Sequence, residues 1–516
     1  MQTTRFRVFA NLYQDSVTLM QLGARLRGRE GVAQASCLMA TPANLAQLLH
    51  ADLAIDTEAS PSDLLVVVRG DAAACDEAIA AAEASLTSAG SSGDGDAVAF
   101  SLPLTSIALG VESAPGADLA LISVPGDYAA AEAMKALALG LHVMLFSDNV
   151  SIAEERTIKT FARSRDLLVM GPDCGTAIVN GVPLGFANVV RRGDIGLVAA
   201  SGTGLQEVTC RIHNLGGGVS QALGTGGRDL KEEIGGIAML QGLAALAQDT
   251  RTRVIVLISK PPAPAIARQI EAAAAAAGKP VVVHFLGAAP QGLPAGLHGV
   301  LSLREAADVA VALARGEPLP PANAAPAPAA IAAVDTWAAA MVPSQRSVRA
   351  LFTGGTFCYE AQLAFIARGL PCRSNAAAAG ALPFDGRFDG HVFLDLGDDD
   401  YTRGRPHPMI DPTLRNAAVR AQGADPQTAA ILFDVVLGFG SHDDPAAGLA
   451  QALADAQHEA RAQGRTLALI GHVCGTDGDP QDKAAQLRQL QAAGALIADS
   501  NVEAATVAAH LARRRA

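Results

Sequence analysis

The sequence predicts a multidomain α/β protein whose parallel sheets are covered by helices. Short runs of apolar residues alternate with helical segments along most of the 516 residues, which is typical of βαβ units. One strand–turn–helix pattern occurs twice, and two stretches rich in Gly and Ser or in Pro and Ala separate the alternating segments. At roughly 100–200 residues per domain, the length corresponds to about three or four domains.

Residues 1–90 are predicted to form a small α/β domain. Its strands are expected at residues 6–9, 32–39 and 64–68, and its helices begin at Ser16 and after Thr41. The Ser/Gly/Asp-rich stretch that follows, residues 88–96, indicates a flexible linker.

Residues 115–192 are predicted to form a second α/β domain. Its predicted strands are residues 119–123, 141–146 and 167–170. Parallel sheets bind ligands beyond the carboxyl ends of their strands. Two loops lie at such ends, residues 147–149 and 171–175, and the second contains Asp173 and Cys174. We therefore expect both loops to face a ligand.

Two further α/β domains are predicted at residues 193–315 and 346–516. The Pro/Ala-rich residues between them, 316–345, are predicted to be a semi-rigid linker. The clearest strands of the first domain are predicted at residues 195–200, 254–259 and 280–285, and those of the second at 349–353, 391–396, 430–436 and 467–473.

A motif repeats between these two domains with an offset of 153 residues. Residues 195–207 and 348–360 each contain an apolar strand, then Ser-Gly-Thr or Gly-Gly-Thr, and a Glu four residues after the Thr. The repeat indicates that the two domains are related.

In each copy of the motif, Gly permits a sharp turn and the close approach of a ligand. The Thr is expected to cap the next helix, whose free N–H groups attract an anion. The alternative is a tight turn without a ligand. The residues expected to contact phosphate or carboxylate are Ser201, Gly202, Thr203, Gly204, Gly354, Gly355 and Thr356.

The composition argues against several classes of function. The net charge of −12 argues against a broad nucleic-acid surface, but a small anionic ligand needs only a local pocket. The apolar runs are too short to span a bilayer, and the N-terminus does not resemble a signal peptide. The seven scattered cysteines favour neither disulfides nor a structural zinc, so we expect a cytoplasmic protein without a bound metal.

An Arg-rich loop is the most distinctive candidate for catalysis. Arg403, Arg405 and His407 precede Asp411 and Arg415, and Arg side chains bind phosphate or carboxylate in bidentate fashion. We assign Arg405 and His407 to catalysis and the other three to binding. The alternative is a structural Arg/Asp network. The acidic residues just before the loop are predicted to pair with it rather than to hold a divalent metal; they are Asp395, Asp398, Asp399 and Asp400.

Two further basic residues follow predicted strand ends. Lys260 comes directly after residues 254–259, and Arg228 follows Gly226 and Gly227, so both are predicted to act in catalysis next to a glycine loop that binds the substrate. A plain turn is the alternative for each.

Three other reactive side chains have less support. Cys174 is expected to be a buried thiol rather than a nucleophile, because no His base is assigned near it. His442 and His472 could act as acids or bases, although a capping or surface role is the default for both.

Several strings in the chain resemble the acyl-CoA synthetase superfamily that includes succinyl-CoA synthetase. Residues 171–174, Gly-Pro-Asp-Cys, resemble the Gly-Pro-Asn-Cys that ends that family's CoA-binding domain, and Ser201-Gly202-Thr203 resembles the turn that opens its ligase domain. The FdrA-like branch is more similar still. Its strings occur at residues 14–17, 41–44, 146–150, 170–176, 226–230, 259–262, 404–416 and 434–440.

The resemblance implies a specific architecture and function. Residues 115–192 would be a Rossmann-like, CoA-binding-type domain, and residues 193–315 and 346–516 would be flavodoxin-like ligase domains. The family's association with ureide breakdown implies a cytoplasmic subunit of an oxamate carbamoyltransferase, acting in allantoin and oxalurate catabolism. It would act on oxamate and on carbamoyl phosphate or phosphate, in a homo- or hetero-oligomer with other subunits of that enzyme.

The chain departs from succinyl-CoA synthetase at the step that uses nucleotide. The His-Ala-Gly-Ala loop that carries the phosphohistidine is missing, and His298 is the nearest histidine. No ATP-grasp domain is visible. We therefore expect no required cofactor, with CoA supported by resemblance alone. Two alternatives remain, namely a CoA-thioester ligase or transferase and a non-catalytic scaffold subunit.

Overall fold

The computed structural model describes residues 2–14, 16–51, 53–88, 104–288, 292–322, 325–402 and 406–515. Most of the predicted first linker, residues 88–96, therefore lies outside the described residues. Arg403 and Arg405 also lie outside them.

The N-terminal domain is a three-stranded antiparallel sheet in the order β1-β3-β2, with helices between its strands. The central strand, Leu64–Gly70, begins with five consecutive apolar residues, 64–68, and all five are fully buried. This matches the small α/β domain predicted from the sequence. Its elements are β1 (Thr3–Phe9), α1 (Ser16–Arg27), β2 (Val32–Met39), α2 (Pro42–His50), β3 (Leu64–Gly70) and α3 (Ala72–Ser88).

The second domain has a short parallel sheet in the order β4-β5-β6. Its elements are α4 (Ile107–Ser113), β4 (Leu119–Ile122), α5 (Gly126–Ala138), β5 (His142–Leu145), α6 (Ile152–Ser164) and β6 (Val169–Met170). The predicted domain extended to residue 192, but the hairpin of β7 (Thr176–Val179) and β8 (Val182–Gly185) pairs with β10 (Val219–Gly224) of the next sheet. The boundary therefore falls just after β6.

The third domain is built on a seven-stranded sheet in the order β13-β12-β11-β9-β10-β7-β8. The five strands from β13 to β10 are parallel and follow the flavodoxin-like order, with β9 first in the chain and central in the sheet. The elements after the hairpin are β9 (Arg192–Ala200), α7 (Gly202–Asn214), β10 (Val219–Gly224), α8 (Ile237–Gln248), β11 (Val254–Ser259), α9 (Pro264–Ala275), β12 (Val281–Phe285), β13 (Leu297–Gly299) and α10 (Leu303–Arg315).

The residues predicted as the second linker contain a packed helix, α11 (Pro328–Ala340). The proline at its start fits the first helical turn, and the alanines that follow favour a helix. Val334 is buried in the core and Ala338 is also buried, so this stretch is not simply a spacer.

The fourth domain has a second seven-stranded sheet, in the order β16-β15-β17-β14-β18-β19-β20, and its strand pairs are parallel. Its elements are β14 (Ser347–Phe352), α12 (Gly355–Ile366), β15 (Cys372–Ser374), β16 (Leu382–Pro383), β17 (His391–Asp395), α13 (Asp399–Thr402), α14 (Thr413–Ala424), β18 (Thr428–Val436), α15 (Pro445–Ala462), β19 (Ala468–Cys474), α16 (Lys483–Ala492), β20 (Leu496–Ala498) and α17 (Asn501–Arg515). The predicted strands agree with β14, β17, β18 and β19.

The two large domains are related and share one hydrophobic core. The same buried cluster contains residues of α7 and α10 from the third domain and of α12 and α17 from the fourth. A second repeat lies in this core, because Ser302 and Ser500 each precede a helix and accept its N–H from Glu305 or Glu503. The sequence analysis missed this second repeat.

Candidate functional site

A cavity of about 900 Å³ lies where all four domains meet. It is lined by the first turns of α7 and α12, by the loops after β4, β5 and β6, and by the loop that precedes α14. The N-terminal domain covers the remaining side. Because parallel strands present their carboxyl ends at one edge, the ligand loops predicted from separate segments meet in this cavity.

The first repeated turn leaves backbone donors open to the cavity. Ser201 is the cap of α7, and its hydroxyl accepts the N–H of Gly204 at 3.0 Å. The prediction that Thr203 caps this helix was therefore wrong. Among the described residues, no acceptor is recorded for the N–H groups of Gly202 and Thr203, which line the cavity. This turn can bind an anion.

The second repeated turn has two protein carboxylates packed around it. Asp434 accepts the N–H groups of Thr353 at 2.8 Å and of Gly354 at 2.9 Å. A side chain at Gly355 would collide with a carboxylate oxygen of Asp395, so that oxygen packs directly against the start of α12. Both turns lie at strand-to-helix junctions, as predicted, and among the described residues the N–H groups of Gly355 and Thr356 have no acceptor either. The second turn differs from the first in the two carboxylates that pack around it, which disfavour a bound anion.

Strand register explains the difference between the turns. Ile258 on β11 pairs with Ala199, two residues before Ser201. On β18, Phe433 pairs with Leu351 of β14. The next residue of β18, Asp434, therefore occupies the position that Ile258 occupies on β11. The first turn therefore has an apolar neighbour where the second has a carboxylate.

The two turns also contact each other. The hydroxyls of Ser201 and Thr356 lie 2.7 Å apart, and the methyl group of Thr203 packs where a side chain at Gly354 would lie. This close approach fixes the two helix starts on one wall of the cavity.

Lys260 lies beside the open turn. It directly follows Ser259, whose partner on β9 is Ala200, the residue before Ser201. In the flavodoxin-like order, the ends of β9 and β11 flank the switch point where such sheets bind ligands. Within the described residues the Lys260 ammonium makes no hydrogen bond or ion pair; its charge partly offsets the raised pKa values of the nearby carboxyl groups of Asp173 and Asp395, and its N–H donors are available to a ligand.

Arg228 also lines the cavity but is held by a buried charge network. It lies 3.0 Å from Glu155 and donates to the carbonyl of Val150 at 2.8 Å. Lys159 neutralises the buried carboxylates by pairing with Glu155 at 2.9 Å and with Asp229 at 2.7 Å. The network joins α6 to the loop before α8 and fixes the position of Arg228.

The second domain contributes an acidic wall. Asp127, Asp148 and Asp173 line the cavity, and its lining residues between 123 and 176 include no Lys or Arg. The Asp173 side chain is exposed within the cavity, and the protein that surrounds it still desolvates the carboxylate, which, together with Asp148 and Asp399, raises its pKa to about 7. Asp173 can therefore exchange a proton near neutral pH.

His407 is a neutral hydrogen-bond donor in the same cavity. Desolvation lowers its pKa to about 4. Its Nδ1 accepts the N–H of Met409 at 3.2 Å, which assigns the proton to Nε2. The Nε2 side packs against Gly397, another cavity residue, so His407 can donate to an oxygen atom of a ligand.

The structure places two predicted binding residues, Arg415 and Asp411, outside the lining of the cavity. Arg415 is buried and donates to the carbonyl of Asp434 at 2.8 Å. Asp411 accepts the N–H of Thr413 at 3.0 Å and forms an ion pair with Arg27 of the N-terminal domain. These two residues brace the loop, so the structural alternative holds for them.

Cys174 is also a structural residue. Its thiol donates to the carbonyl groups of Thr176 at 3.5 Å and Gly224 at 3.4 Å, and burial raises its pKa to about 12.

The predicted binding glycines differ in their exposure to the cavity. Gly226 packs tightly on Pro172, whereas Gly227 is open to the cavity. Gly204 and Gly354 lie behind the lining residues.

The other histidines lie elsewhere. His298 is on the edge strand β13, in a separate cavity of about 320 Å³. His472 forms a buried ion pair with Glu207 at 2.8 Å, and the Nδ1 of His442 accepts the N–H of Asp444 at 3.0 Å. None of the three lines the main cavity.

Comparisons with protein families match three segments. Residues 351–511 match the CoA-ligase family, residues 190–287 match the CoA binding domain family, and residues 1–99 match the family described as AllF, heavy metal-associated domain. The CoA-binding match falls on the third domain rather than on residues 115–192, where the sequence analysis expected such a domain.

Individual proteins show the same relationship. The chain is 42% identical to the uncharacterized protein YahF of Escherichia coli (strain K12), with 96% of each chain covered. It is 24% identical over 174 residues to the subunit alpha of an ADP-forming succinate–CoA ligase of Staphylococcus epidermidis, covering 33% of this chain and 56% of that one. The apo form of the dinucleotide-forming acetyl-coenzyme A synthetase 1 of Ca. Korarchaeum cryptofilum is 17% identical, with a TM-score of 0.32, covering 77% and 84%.

Fold and family matches together define a multidomain α/β protein of the CoA-ligase type. Within that class, the full-length relationship to YahF and the AllF-type N-terminal domain are decisive. The chain belongs to the FdrA-like branch of the acyl-CoA synthetase superfamily.

The name of the N-terminal family does not establish a metal site in this chain. Cys37 and Cys75 lie on different elements, and burial raises the pKa of Cys37 to about 12, which disfavours the thiolate that metals require. Among the described residues, no three His, Cys, Asp or Glu side chains are grouped to hold a metal ion.

The cavity wall of the second domain does not fit CoA. Asp127, Asp148 and Asp173 line this wall without a Lys or Arg, so the wall offers no cation to the phosphates of CoA. A side chain at Gly126 would collide with the carbonyl of Asp148, so this glycine serves close packing of two loops.

No helix among the described residues has the length and apolar character required to span a bilayer.

Proposed function

We propose that this protein is a subunit of an oxamate carbamoyltransferase, and that its cavity transfers a carbamoyl group between oxamate and phosphate. The observation that carries the proposal is the pairing of an open helix start at Gly202 and Thr203 with the unpaired ammonium of Lys260. Together they can hold a phosphate group. The AllF-type N-terminal domain supports the association with ureide breakdown.

In the direction of oxalurate breakdown, a phosphate oxygen attacks the terminal carbamoyl carbon of oxalurate. The bond between that carbon and the inner nitrogen breaks, giving carbamoyl phosphate and oxamate. Lys260 and the start of α7 orient the phosphate, and the Nε2 proton of His407 stabilises the oxyanion that develops on the carbamoyl oxygen.

The leaving nitrogen must gain a proton, and Asp173 is suited to supply it. With a pKa of about 7, its carboxyl group is partly protonated near neutral pH and can accept the proton back in the reverse reaction. Arg228 would bind the carboxylate of the oxalyl group from its fixed position.

The test is phosphorolysis of oxalurate by the purified chain, alone and together with the other carbamoyltransferase subunits. Formation of both carbamoyl phosphate and oxamate, dependent on this chain, is the expected result. A subunit combination that performs the reaction equally well without this chain would contradict the proposal, as would turnover that requires CoA.

A CoA-thioester ligase or transferase is the second candidate. The family matches to CoA-ligase and CoA binding domains favour it. The acidic cavity wall and the position of His298 outside the cavity weigh against it. Binding of CoA to the purified chain, measured by calorimetry, separates the two candidates.

A further inference from the structure

The cavity wall formed by the N-terminal domain carries no charge. Its described lining residues include Tyr13, Gln14, Thr41, Asn44 and Gln47 and no Asp, Glu, Lys, Arg or His. The other domains contribute Lys260, Arg228 and several carboxylates to the same cavity. A ligand that fills the cavity thus meets charge on one side and neutral polar groups on the other.

Side-chain amides of this wall are available for hydrogen bonds. Among the described residues, no partner is recorded for the side chains of Gln14 and Gln47. Asn44 donates one N–H to the carbonyl of Met39 at 2.8 Å, and its oxygen has no recorded partner. Asn44 and Gln47 are three residues apart on α2 and share one face of that helix.

The N-terminal domain is held over the cavity by an ion pair. Arg27 of α1 bonds to Asp411, in the loop that also carries His407. Arg27 further donates to the carbonyl of Ala35 at 3.1 Å, which ties the pair to β2. The neutral wall is therefore fixed relative to the charged one.

We infer that the N-terminal domain selects ligands with a neutral amide or ureido group, which Gln14 and Gln47 bind while the opposite wall holds the ligand's anionic end. An amide side chain donates and accepts at once, which matches the N–H and C=O groups of a carbamoyl moiety. This inference deepens the proposed function and rests on it for the reaction, but not for the binding preference.

Two pairs of ligands of equal shape test the preference. Oxamate and pyruvate differ only by NH₂ in place of CH₃, and so do carbamoyl phosphate and acetyl phosphate. Affinities are measured for the full chain, with its partner subunits if binding requires them. The variants are Gln14→Ala, Gln47→Ala and Gln47→Glu, and the control is Gln21→Ala, an exposed amide on α1 outside the cavity.

The wild-type chain is expected to prefer the amide member of each pair. Each Ala variant should weaken binding of that member about 2- to 12-fold, the effect of one neutral hydrogen bond, and leave the methyl member within about twofold. Gln47→Glu should not restore the preference, because the carboxylate lacks the N–H donor. Gln21→Ala should behave as wild type.

A wild-type chain without preference in either pair would overturn the inference, as would variants that weaken both members equally. The proposed function fails separately. If the chain supports phosphorolysis of oxalurate but the variants keep the wild-type preference, only the inference about Gln14 and Gln47 is refuted. A preference for the amide members without any phosphorolysis would refute the carbamoyltransferase reaction alone.

Discussion

Replacement of Lys260 by Met should weaken anion binding strongly with little effect on folding. The ammonium has no recorded partner among the described residues, so the folded protein loses at most about 0.5 kcal/mol, typical of an exposed charge. A charge-assisted hydrogen bond to a ligand contributes about 1.5–3 kcal/mol, so binding or kcat/KM should fall roughly 10- to 150-fold.

The control is Lys279→Met, because this lysine has the opposite role. Its ammonium donates to the carbonyl groups of Leu246 and Asp249, each at 2.7 Å, at the end of α8. Loss of these charge-assisted bonds should lower the free energy of unfolding by about 1.5–3 kcal/mol. At about 2–4 °C per kcal/mol, the melting temperature should fall by roughly 3–12 °C, and ligand affinity should be unchanged.

Oxamate or phosphate binding by calorimetry and melting by differential scanning calorimetry give the two readouts. If Lys260→Met melts well below wild type while it binds phosphate normally, then the ammonium braces the loop and the proposed anion site is wrong.

Four further outcomes are expected, two from the geometry of the cavity and two from the sequence. Because desolvation raises the pKa of Asp173 to about 7, kcat/KM for carbamoyl transfer to oxamate should rise with pH through about 7, and Asp173→Asn should remove this limb; an unchanged profile would exclude Asp173 as the base. Gly202→Ala should reduce phosphate affinity while the fold is kept, whereas Gly355→Ala should destabilise the fold by collision with a carboxylate; equal melting temperatures would refute this asymmetry. The sequence predicts that Arg405→Ala lowers kcat/KM roughly 10- to 150-fold with little change in the melting temperature. A large fall in the melting temperature with normal kcat/KM would instead show that Arg405 braces its loop. Incubation with labelled ATP should yield no phosphohistidine, and a stoichiometric label on His298 would overturn that expectation.

Local signals predicted the parts of the site that lie at single strand ends. The strand–Gly–helix pattern located Ser201 and Gly355, and the position of Lys260 after a buried strand identified the available cation. These signals are reliable because turn chemistry depends on adjacent residues and because parallel strands share one ligand-binding edge.

Long-range pairing explains the expectations that failed. Asp434 accepts the N–H of Gly354 in the second turn from about 80 residues away, and only the register of β14 and β18 reveals that relation. Arg415 was expected to face a ligand, but its burial behind Asp434 depends on how α14 packs. The role of the N-terminal wall was also missed, because no local pattern shows that Gln14 and Gln47 cover the cavity.

A crystal structure of the chain with oxamate and phosphate tests the central claim most directly. The account predicts phosphate within hydrogen-bond distance of the N–H groups of Gly202 and Thr203 and of the Lys260 ammonium, with the amide of oxamate directed at Gln14 and Gln47. Phosphate bound instead at the start of α12, or against the acidic wall at Asp127 and Asp148, would contradict it.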